Sequence, residues 1–145
     1  MTVYDVNELL LKLTEEPYDD LVRATKELSI EINNAMLELL DKKGEDKNYL
    51  FIYFGNSIVA DGKFSDLEKK FILDVTNFTE ENLSKVYSLL KEQQKQNTEY
   101  AKTIFKYLDL EIQAKIIVYC ACFLAVDKIT SIDEVEFIQE LLEGE

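Results

Sequence analysis

The stretch Tyr49-Leu50-Phe51-Ile52-Tyr53-Phe54-Gly55-Asn56-Ser57-Ile58-Val59-Ala60 is apolar along most of its length and runs into Asp61-Gly62-Lys63-Phe64-Ser65-Asp66-Leu67-Glu68. Its apolar residues do not alternate with polar ones, as a half-buried strand would require. A helix over about 47–60 that is apolar nearly all round belongs at the centre of a helical core. Gly62 breaks the pattern, and Ser65 is placed to start a second helix that runs to about 76. A shift of 66 residues without gaps repeats the unit. Tyr53 falls on Tyr119, Asp61 on Asp127, Ser65 on Ser131, Glu68 on Glu134, Phe71 on Phe137 and Ile72 on Ile138. Leu50-Phe51-Ile52 is matched in kind by Ile116-Ile117-Val118, and Asp74 by Glu140. The chain therefore reads as a doubled helix–loop–helix, over about 47–76 and 110–143, and such copies usually pack about a pseudo-two-fold axis.

Outward from that unit, apolar residues keep recurring at three- and four-residue steps. Asp5, with Glu8 three residues on, is placed to cap a helix over about 5–14. Pro17 marks a break or the first turn of a long helix over about 18–43, with Leu21, Leu28, Ile32, Ala35 and Leu39 as its stripe and Gly44 as its stop. Thr79 caps a helix over about 80–95. The polar run from Lys91 to Asn97 reads as a solvated helix end and turn, and a further helix covers about 98–108. A second central helix spans about 110–126, and the last starts after Ser131 and ends near Glu143. One proline and four glycines are few for a β-rich chain of this length. The expectation is one all-α domain over 1–145, a bundle of about 7–8 helices with an internal pseudo-two-fold repeat.

Composition narrows the function. The 145 residues carry 16 basic and 29 acidic side chains, a formal charge of −13, and the pI is near 4.4. Nucleic acid and anionic membrane surfaces need a basic face, so neither is an expected partner. Cations and basic protein surfaces are favoured instead. Histidine is absent, which removes Ser–His and Cys–His nucleophile pairs and His-ligated zinc. There is no phosphate loop or nucleophile elbow, so no enzymatic activity is expected. The longest apolar run, Ile116 to Val126, falls short of the ~18 residues that span a bilayer, so no membrane insertion is expected. Met1-Thr2-Val3-Tyr4-Asp5 lacks the basic and apolar segments of a signal peptide. Cys120 and Cys122 lie about 200° apart on a helix and read as small core residues. These features suggest a reduced, cytoplasmic protein.

The loops carry the candidate chemistry. Ser65 with Glu68, and Ser131 with Glu134, fit a capping box, which accounts for serine and glutamate by local structure alone. Asp61 and Asp127 fit less easily, because each ends a buried helix where the dipole disfavours an anion. One reading is that each bonds loop amides and finishes its helix. The other is an oxygen-ligand site for a hard divalent cation, Ca²⁺, Mg²⁺ or Mn²⁺, formed by Asp61, Glu68, Asp127 and Glu134, with Asp66 and Asp133 as supplements. Asp61 to Glu68 also matches the last eight positions of an EF-hand loop, but Val59 would fall on a ligand position. In the second copy Phe123 and Ala125 fall on ligand positions and Lys128 replaces the glycine, so neither loop is a complete EF-hand. Tyr53 and Tyr119 read as core aromatics.

Val59-Ala60-Asp61-Gly62-Lys63-Phe64-Ser65-Asp66-Leu67-Glu68, on a helix–loop–helix echoed in the second half, resembles the tellurite-resistance TerB-like family. The resemblance implies an all-α bundle with internal pseudo-symmetry and an acidic cluster where the repeats meet. It implies a role in tellurite and general stress resistance through metal binding or membership of a stress-response complex, without enzymatic activity. Asp61 and Glu68 match its motif, and Asp127 and Glu134 match its acidic positions; Lys128 stands where the family favours glycine. The alternative is an acidic helical protein–protein interaction module without a metal, docked on a basic partner.

Overall fold

The computed structural model describes residues 2–39, 53, 55, 57, 65–76, 78–128 and 136–143. The described residues contain seven helices and no strand. In chain order they are α1 (Val3–Glu15), α2 (Tyr18–Leu39), α3 (Asp66–Val75), α4 (Glu80–Glu92), α5 (Gln94–Tyr107), α6 (Leu110–Val126) and α7 (Glu136–Glu143). Tyr53, Gly55 and Ser57 are helical as well, within the expected 47–60 helix; the rest of that helix lies outside the described residues. None of the described helices is long and apolar enough to cross a membrane.

Local chemistry sets the helix starts. Thr2, not Asp5, caps α1: its hydroxyl accepts the Asp5 N–H at 3.1 Å, and the Asp5 carboxylate accepts the Thr2 N–H at 2.9 Å. The capping box is thus Thr2-x-x-Asp5, three residues ahead of the one expected from Asp5 and Glu8, and Glu8 accepts the Tyr4 hydroxyl instead. Pro17 precedes α2, and its carbonyl accepts the Leu21 N–H at 3.0 Å. Thr79 caps α4 through the Asn82 N–H, as expected. The break between α4 and α5 is narrower than the polar run suggested and centres on Gln93, with φ −106° and ψ 18°. Gln and Lys are good helix formers whatever their polarity, so both helices extend into the run.

α6 is the centre of the core. From Tyr119 to Val126 every side chain is buried, and so are Ile112, Ile116 and Ile117. It packs against α1, α2 and α3, while α5 packs against α4 and α7. A chain of edge-to-face rings ties three of these helices together. Tyr18 of α2 meets Phe71 of α3 at 6.0 Å, Phe71 meets Phe123 of α6 at 5.3 Å, and Phe123 meets Tyr119 at 5.1 Å between ring centres. Tyr53 is fully buried and donates its hydroxyl to the Ala101 carbonyl at 2.9 Å, which satisfies its polar end against α5. Cys120 and Cys122 are core residues. Burial pushes their thiols up, to about 12 and about 11, so neither is poised as a thiolate.

Gly55 marks a close approach. A Cβ built there would lie 2.5 Å from Leu90 Cδ2 and 2.9 Å from Cδ1, and Leu90 is only 2% exposed. Gly55→Ala is therefore expected to destabilise the protein by about 1 kcal/mol. Overpacking costs about 1–3 kcal/mol and alanine's better helix propensity returns up to about 1. Urea unfolding checks this, and the loss should shrink when Leu90→Val is added to the same chain.

Candidate acidic site at the loop junction

Ser65 and Asp127 meet across the chain. The Ser65 hydroxyl donates to Asp127 Oδ1 at 2.6 Å, and the Ser65 Oγ in turn accepts the Glu68 N–H at 3.1 Å. One serine therefore starts α3 and holds the carboxylate that ends α6. The dipole at the C-terminal end of α6 disfavours an anion at Asp127. The N-terminal end of α3, brought beside it by this bond, favours one and offsets the penalty. The structure thus places the N-cap of the first loop against the acid of the second. Asp61, Glu134 and the supplementary Asp133 lie outside the described residues.

Asp127 uses only half of its carboxylate in this bond. Its Oδ2 is buried and accepts no hydrogen bond among the described residues. Glu68 differs from a typical capping-box glutamate, which lies at the solvated first turn: its side chain is 0% exposed. A carboxylate in that position needs compensation by hydrogen bonds, by opposite charge or by a proton. Asp66, the supplementary acid of the first loop, is exposed to solvent at the first turn of α3. Among the described residues, no three acidic or cysteine side chains group closely enough to hold a metal ion.

The backbone after Asp127 takes a conformation that glycine usually fills. Lys128 has φ 61°, in the left-handed region, and its N–H donates to the Ala125 carbonyl at 2.9 Å, closing the end of α6. Such a position after a helix is usually taken by glycine, because it has no Cβ to clash in the left-handed region. Here lysine takes the strained conformation and directs its ammonium to the Thr14 carbonyl at 2.8 Å, in the last turn of α1. The contact ties α1 to the end of α6, and no motif signalled it in advance. Lys128→Ala keeps the strained φ and loses this bond, whereas Lys128→Gly loses the bond and relieves the strain. In denaturant unfolding, the alanine variant is expected to be the less stable of the two by about 1 kcal/mol.

A cavity of about 270 Å³ opens nearby, with Leu13, Leu21, Leu67 and Val126 among its walls. Asp127 and Glu68 do not line it, but their chain neighbours Leu67, Val126 and Lys128 do. Ser57, four residues before Asp61 in the sequence, is fully buried and donates to the Tyr53 carbonyl at 3.0 Å.

The repeat-related pairs that can be compared share their burial. Tyr53 and Tyr119 are 0% and 2% exposed, Phe71 and Phe137 are 0% and 4%, and Ile72 and Ile138 are both 0%. Compared with protein-family models, curated proteins and solved structures, the chain matches none of them.

Proposed function

We propose that this chain is a non-enzymatic, TerB-like stress or tellurite-resistance protein that binds a divalent cation where its two acidic loops meet. The Ser65–Asp127 bond at 2.6 Å carries this reading, because it joins the start of the first loop's helix to the acid of the second loop. Two further features support it. Asp127 has one oxygen fixed and the other buried without a hydrogen bond among the described residues, which suits a monodentate ligand. Glu68, the acid at the other end of the Asp-x6-Glu pattern, is fully buried. In this reading the chain doubles one helical hairpin about a pseudo-two-fold axis, and Asp61, Glu68, Asp127 and Glu134 supply carboxylate oxygens to one Ca²⁺, Mg²⁺ or Mn²⁺ ion.

Titration calorimetry with Ca²⁺, Mg²⁺, Mn²⁺ and Zn²⁺ on the wild type and on Asp61→Asn/Asp127→Asn tests the metal. Binding by the wild type, weakened at least about tenfold in the variant, is the expected result; tenfold corresponds to about 1.4 kcal/mol. Identical isotherms, or no heat from either protein, would remove the metal. The net charge of −13 favours a second reading, in which the acidic surface docks on a basic protein of a stress-response complex. Glu15, Glu16, Asp19 and Asp20 form an exposed acidic corner at the α1–α2 turn suited to that purpose. Capture of a basic partner at low salt and its loss at high salt would favour this reading.

A further inference from the structure

We draw no further inference here: the strongest candidate, the largely apolar cavity of about 270 Å³ between the ends of α1, α2, α3 and α6, sets Glu16 beside Lys70 and Lys128 in its walls, so its charge selects no ligand, and nothing in the structure shows what would fill it.

Discussion

Phe123→Ala is expected to lower the free energy of unfolding by about 3–5 kcal/mol, a large share of the 5–15 kcal/mol typical of a natural domain. Phe123 is fully buried on α6 and lies edge-to-face against both Phe71 and Tyr119. Truncation removes the ring's own burial, leaves a cavity between helices that close only in part, and ends two aromatic contacts worth about 0.5–1.5 kcal/mol each. Phe123→Leu keeps most of the volume and should cost markedly less. Urea unfolding at neutral pH separates the two variants. Near-equal stability of the alanine variant and the wild type would mean that Phe123 is not central to the core.

Tyr18 is expected to show the second large effect, and its parts can be separated. Its ring meets Phe71 at 6.0 Å, the Lys70 ammonium lies 4.1 Å from its centre, and its hydroxyl donates to Asp74 Oδ2 at 2.6 Å. Tyr18→Ala removes all three contacts between α2 and α3 and should cost about 2–4 kcal/mol, somewhat below a fully buried aromatic because the ring is half-buried. Tyr18→Phe removes only the hydroxyl and should cost about 1 kcal/mol at pH 7. The same hydrogen bond lowers the Asp74 carboxyl below the usual range, with Lys70 assisting. A carboxylate with a lowered folded pKa adds stability above its unfolded value near 3.8 and loses it as the pH falls through the folded value. The gap between wild type and Tyr18→Phe should therefore narrow from pH 5 to pH 2. A gap that stays constant over that window would detach Asp74 from the effect.

The helical class was legible in the sequence because the signals were redundant. The three- and four-residue spacing, the scarcity of glycine and proline, and the apolar run at Ile116 to Val126 all gave one answer, and α6 has the bounds the pattern suggested. Thr79 was legible as a cap for the same reason. Boundaries set by competition were not. Thr2 and Asp5 each have a capping partner three residues on, and only the folded backbone selects the earlier box. The α4–α5 break was obscured because polar residues that favour helices look like a turn when polarity alone is read.

At the junction, the sequence paired Ser65 with Glu68 as a cap and set Glu68 and Asp127 in one four-carboxylate site, but it did not join Ser65 to Asp127. The bond that matters crosses between the loops, from Ser65 to a residue 62 positions away, and no local spacing encodes it. Lys128 was legible as a departure from glycine. Its left-handed backbone and its contact with Thr14 depend on where α1 lies beside α6, which only packing determines. Glu68 was explained by local capping, but its complete burial follows from the docking of α3 on α6.

Whether acids from both loops serve one ion is tested most directly by soaking crystals of the full chain in Mn²⁺ and computing an anomalous difference map. The expected map has one peak at the junction, with carboxylate oxygens of Asp127 and at least one first-loop acid about 2.0–2.6 Å from it. A junction with no peak, in which Asp127 and Glu68 meet only protein donors, would contradict the shared site and leave Ser65 and Asp127 as a tie between two helix ends.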